Sequence, residues 1–70
     1  MKLNAFGRTL IIHRVNNAWE VLDQGNEGKR RLARDVVIPA SLSEGELVGY
    51  VSDLLHEYAS EKHPVVEIIE

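Results

Sequence analysis

The residues in this sequence best suited to chemistry form a short run of cations. Lys29, Arg30, Arg31 and Arg34 follow glycines at positions 25 and 28. Glycine lets a backbone approach an anion closely, and the guanidinium fork matches the paired oxygens of a carboxylate or phosphate. The run therefore suits an acidic protein partner or, as the alternative, a weak phosphate or nucleic-acid contact. It equally suits a solvated loop that offsets the acidic half of the chain. The stretch from Gly25 to Arg31 lacks the lysine followed by serine or threonine of a phosphate-binding loop, which argues against nucleotide hydrolysis.

Two further groups extend the candidate surface. Arg14 and Trp19 fall opposite one another in the hairpin described below, where they can form a cation–π pair; an exposed Trp19 would anchor a partner or stack a base, and a buried one is simply core. His13, His56 and His63 invite thoughts of acid–base work, and Asp53, His56 and Glu57 lie close together on one polar helix face. Their spacing does not match the zinc-binding pattern of two histidines flanking a glutamate, and no nucleophile with an adjacent base stands out. We read the chain as non-enzymatic, without metal or cofactor; a small enzyme or enzyme subunit using His56 ranks third. A separate feature concerns self-association. Gly45 and Gly49 make a thin strip with Ser52 and His56, and each glycine inside a helix costs about 0.5–1 kcal/mol relative to alanine. Close approach of a second copy would explain them, as would simple tolerance.

These residues need elements to hold them. A helix from Ser43 to about Lys62 organises the rest: Ser43 and Glu46 have the spacing of a capping box, and Leu42 with Leu47 forms a hydrophobic staple. From Leu47 onward, Val48, Tyr50, Val51, Leu54, Leu55, Tyr58 and Ala59 share one face. Pro64 enforces an end. Before the helix, Lys2 to Ala5 reads as a strand, Phe6-Gly7-Arg8 as a turn, Thr9 to Val15 as the strongest strand and Ala18 to Asp23 as its return. With Asn16-Asn17 as a two-residue loop, Val15 faces Ala18, Arg14 faces Trp19, His13 faces Glu20, Ile12 faces Val21 and Ile11 faces Leu22. The face carrying Leu10, Ile12, Trp19 and Val21 offers the larger apolar area and is assigned to the helix. Gly25 to Arg31 reads as loop, Asp35 to Ile38 as a short strand closed by Pro39, and Val65 to Ile69 as a last strand, central or covered on both sides. The fold class is α+β over residues 1–70: an antiparallel meander of three to four strands, one helix and a C-terminal strand.

Charge divides the chain. Up to Arg34 there are seven basic residues against three acidic ones, a net of +4; from Asp35 onward eight acids face Lys62 alone, a net of −7, giving −3 overall. Such a chain can pair its halves internally or with a copy of itself, and its acidic surplus disfavours non-specific nucleic-acid binding. At 70 residues the core barely offsets an ordering cost of about 1.5 kcal/mol per residue, so a homo-oligomer is a natural expectation. The absence of cysteine rules out disulfides and a thiol nucleophile and suits a reducing, cytoplasmic setting. No leader and no apolar run of membrane-spanning length is apparent, so no membrane association is expected.

Phe6-Gly7-Arg8, the lone Trp19, the segment Gly-Asn-Glu-Gly-Lys-Arg-Arg at 25–31, Asp35-Val36-Val37-Ile38-Pro39 and Asp53-Leu54-Leu55-His56-Glu57 together resemble a family of short uncharacterised bacterial proteins, a domain of unknown function. The resemblance spans nearly the whole chain. It implies a stand-alone bacterial, cytoplasmic domain and supplies no activity. The expectation is thus an interaction or regulatory module whose protein partner the sequence does not name.

Overall fold

Two tight turns fix most of the architecture. Phe6 and Gly7 adopt φ of 54° and 92°, and Asn16 and Asn17 adopt 50° and 64°. Positive φ at both central residues is the type I′ geometry whose twist matches that of paired strands, so each turn closes a hairpin. The amide of Gly7 donates to Asn4 Oδ1 at 2.8 Å, locking the first turn. A computed structural model describes residues 1–25 and 27–70. Its first three strands are β1 (Lys2–Ala5), β2 (Arg8–Val15) and β3 (Ala18–Gln24). The β2–β3 register pairs Val15 with Ala18, Arg14 with Trp19, His13 with Glu20, Ile12 with Val21 and Ile11 with Leu22, as the two-residue loop requires.

Between β3 and the helix, two elements depart from the sequence reading. The stretch expected to be loop up to Arg31 contains the strand β4 (Arg30–Leu32), antiparallel to β3 with Asp23 opposite Arg31. Asn26, inside that expected loop, lies outside the described residues. Asp35 to Ile38, expected as a strand, pairs with nothing and instead forms part of a strap across residues 33–42. Its alternation is real, with Val36 and Ile38 buried and Val37 71% exposed. The inward positions serve the core, while among the described residues no strand pairs with this segment and β4 occupies the place beside β3.

The helix is shorter than its apolar arc suggests. A 3-10 turn (Glu44–Glu46) leads into α1 (Leu47–Leu54), and a second 3-10 turn covers His56–Tyr58. The capping box forms, with Ser43 N–H and hydroxyl both donating to Glu46 Oε1 at 2.9 Å. Leu55 leaves the helical region (φ −107°, ψ 14°) and Ala59 is extended. Extending the helix would bury little, because Tyr58 stays 59% exposed. Local bonds compete as well: Ser60 N–H donates to His63 O and His63 N–H to Ser60 Oγ. The chain then returns as β5 (Val66–Ile68), antiparallel to β1.

The sheet order is β4-β3-β2-β1-β5. The terminal strand is therefore an edge, not the central or doubly covered strand expected; Val66 is buried while Ile68 is 59% exposed. Leu3, Leu10 and Ile12 from one sheet face meet Leu47 and Val51 from α1, all essentially without solvent contact, and Ala33, Val36 and Ile38 of the strap join them. The hairpin face carrying Leu10, Ile12 and Val21 is the one that meets the helix. Ile11, Leu22 and Leu32 share the opposite face by register.

Candidate functional site

The cations of residues 29–34 become an edge of the sheet. Gly28 (φ 81°) donates its amide to Gly25 O at 3.0 Å, and Gly25 N–H reaches Lys29 O at 2.9 Å. This turn launches β4, a strand held by β3 on one side only. Lys29, Arg30, Arg31, Leu32 and Arg34 are all exposed, and among the described residues none of the four cations makes an ion pair.

The reason Arg31 is unpaired lies beside it. Asp23 stands directly opposite Arg31, yet its carboxylate is taken by Arg8, whose Nε and Nη2 approach it at 2.6 and 2.8 Å. The same guanidinium donates from Nη1 and Nη2 to Asp35 at 2.8 and 2.7 Å. One arginine thus clamps two carboxylates from segments 15 and 27 residues away. The hydrogen bonds that Arg8 donates to Asp23, then to Asp35, raise its pKa, and the Arg8 bond holds the Asp35 carboxyl below its ordinary range. The sequence carries no local signal for this triad, since its partners meet only when the strap folds over the sheet.

Arg14 and Trp19 also meet. The Arg14 guanidinium carbon lies 3.9 Å from the Trp19 ring centroid. Its nitrogens donate to Asn17 O (3.2 Å), Ala40 O (2.9 Å) and Leu42 O (3.0 Å), and Trp19 Nε1–H also donates to Leu42 O at 3.0 Å. The pair pins the strap, assisted by Tyr50 hydroxyl donating to Val37 O at 3.0 Å. Trp19 is half-buried against the core cluster. A shallow cleft of about 360 Å³ beside it is lined by Val15, Leu32, Arg34 and Val37.

The helical candidates divide. Gly49 is exposed, and a Cβ placed there would meet nothing within 4 Å; Gly45 lies in the leading 3-10 turn, and Ser52 is half-buried. His56 sits in the trailing 3-10 turn with its ring edge-on to Phe6, 6.4 Å between centroids. His13 pairs with Glu20, and the His63 ring lies over Gly7. Phe6, Arg8, Leu55, Tyr58 and His63 line a second cleft of about 560 Å³. No group of three or more histidine, aspartate or glutamate side chains among the described residues is arranged to hold a metal ion. Among the described residues no helix is long and apolar enough to cross a membrane.

Comparison with known proteins places the whole of residues 1–70 in one family, described as Domain of unknown function (DUF7661), and the chain belongs to it. No curated protein matches the chain, and neither does any solved structure.

Proposed function

We propose that this member of the family is a non-enzymatic interaction module that engages an acidic protein surface through the β4 edge. The observation that carries the reading is the gathering of Lys29, Arg30, Arg31 and Arg34 on one open strand and its flanks, all exposed and without an internal counter-ion among the described residues. Concentrated unpaired charge of one sign steers a partner of the other sign and fixes its orientation. Leu32 and Val37, 54% and 71% exposed, add apolar area next to the charges.

Affinity capture from lysate of the source cells, with the intact chain and with Arg30→Gln/Arg31→Gln, tests the reading. A co-purifying protein identified by mass spectrometry and lost with the two charges supports it; an unchanged set of co-purifying proteins, together with self-association that the two substitutions leave unchanged, overturns it. The same four cations suit a weak nucleic-acid contact. That alternative predicts anisotropy-detected binding of a labelled oligonucleotide that falls steeply with salt. Arg14 and Trp19, which such a contact would recruit, already hold the strap.

A further inference from the structure

We propose that the partner of the β4 edge is the β5 edge of a second copy, so that molecules join strand to strand, basic edge against acidic edge. The inference rests on the reading of β4 as a contact surface and names what it contacts.

The sheet has two open edges, and they carry opposite charge. At one end stand Lys29, Arg30 and Arg31; at the other stand Glu67 and Glu70. Glu67 is exposed with no ion pair among the described residues, and Glu70, with its side chain 73% exposed, is 3.3 Å from Lys2 Nζ. Like edges repel: two β4 strands oppose arginines, and two β5 strands oppose glutamates. Like charges directly across a strand pair destabilise it and opposite ones stabilise it. The unlike combination alone is attractive on both counts.

The backbone agrees. Gly25 N–H bonds Lys29 O, and Ala33 N–H bonds Val21 O, each at 2.9 Å. In an antiparallel ladder bonded pairs alternate, so Arg31 turns its amide and carbonyl toward β3 while those of Arg30 and Leu32 face outward. At the other edge Ile69 N–H bonds Lys2 O at 2.8 Å, so Glu67 turns toward β1 and the amides and carbonyls of Val66 and Ile68 face outward. An antiparallel match of Arg30 with Ile68, Arg31 with Glu67 and Leu32 with Val66 brings outward groups against outward groups. With the second molecule turned over, Arg31 and Glu67 stand side by side on one face. On the other, Leu32 stands opposite Val66 and Arg30 opposite Ile68, so that Leu32 and Ile68, 54% and 59% exposed in the single molecule, are diagonal neighbours.

Because the contact joins unlike edges, each added copy leaves one edge free, and assemblies lengthen instead of stopping at two. Three-residue strands bury little area, so association belongs in the range of about 100 μM and above. Sedimentation velocity of the full chain at low salt should show a weight-average coefficient that rises with concentration. That rise should vanish at roughly 0.5 M salt as the Debye length shrinks. Arg30→Glu/Arg31→Glu and Glu67→Lys should each weaken association at least about tenfold, and an equimolar mixture of the two should restore it, since each then supplies the charge the other lacks. Hydrogen exchange on the unmodified chain gives a reading that does not depend on variant folding: on concentration, the amides of Arg30, Leu32, Val66 and Ile68 should gain protection.

Association that both charge variants retain, a mixture that fails to recover, or concentration-independent exchange at those amides each overturns the proposal. A chain that stays monomeric up to about 1 mM at low salt overturns it too. If that monomer still captures a protein in an Arg30- and Arg31-dependent way, the β4 contact reading stands and only its assignment to a second copy falls.

Discussion

Arg8 is the residue on which most charge rests. Its guanidinium holds Asp23 and Asp35 together, and without it two carboxylates would face each other with no cation between them. Arg8→Ala should cost about 1–2 kcal/mol at pH 7, the central value for charged hydrogen bonds reduced for partial exposure. The pH dependence follows from Asp35. Its folded-state pKa is depressed below 3.8 by the Arg8 bond, so the stabilisation is present above that value and is lost as pH falls through the folded-state pKa. Denaturant melts of the intact chain should therefore weaken below about pH 4, and Arg8→Ala should show a shallower acid limb. An acid limb of unchanged slope would show that the clamp contributes no linkage. Gly7 makes a second residue-scale prediction. At φ 92° a side chain is strained, and a Cβ there would lie 2.8 Å from His63 Cδ2. Gly7→Ala should destabilise by about 1–3 kcal/mol. Asn17→Gly, in the other turn, should be close to neutral in the same denaturant titration.

At the scale of elements, α1 separates what packing requires from what the helix tolerates. Leu47 is 0% exposed, and Leu47→Ala should cost about 2–5 kcal/mol, enough to unfold much of a domain this small at 37 °C as read by circular dichroism. Gly49 faces open space inside the same helix, and Gly49→Ala should raise stability by about 0.5–1 kcal/mol with association unchanged. A fall in association would instead place a second molecule on the glycine strip. The elements legible in the sequence were those whose cause is local. Asn16-Asn17 dictated the β2–β3 register, and Ser43 with Glu46 marked the helix start. Elements defined by pairing were not legible. Arg30-Arg31-Leu32 has the composition of a loop and becomes a strand because β3 offers it a ladder; Asp35 to Ile38 has the alternation of a strand but remains a strap that buries Val36 and Ile38 in the core instead of lying along a sheet edge. The helix stops short of its apolar arc: Tyr58 and Ala59 continue that arc in sequence, yet both stay largely exposed. Composition located the basic cluster, but only the topology turned it into a sheet edge, and the clamp that leaves Arg31 unpaired joins residues too far apart in sequence to suggest one another.

At the scale of the whole molecule, β1 binds the chain together. It lies between β2, its nearest neighbour in sequence, and β5, which arrives more than sixty residues later. Forming that last pairing means closing a loop of nearly the full chain, an entropic cost that grows slowly with length but is paid in one step. The Lys2 amide reaches Glu70 O at 2.8 Å, so the two ends of this stretch of chain stand side by side. The polypeptide is thus almost a ring. Tying residue 70 to residue 1 through a few glycines and reopening the backbone at the exposed Asn16-Asn17 turn should give a circular permutant that folds cooperatively to the same sheet, with the formerly distant β1–β5 pairing now a local hairpin that forms early instead of late.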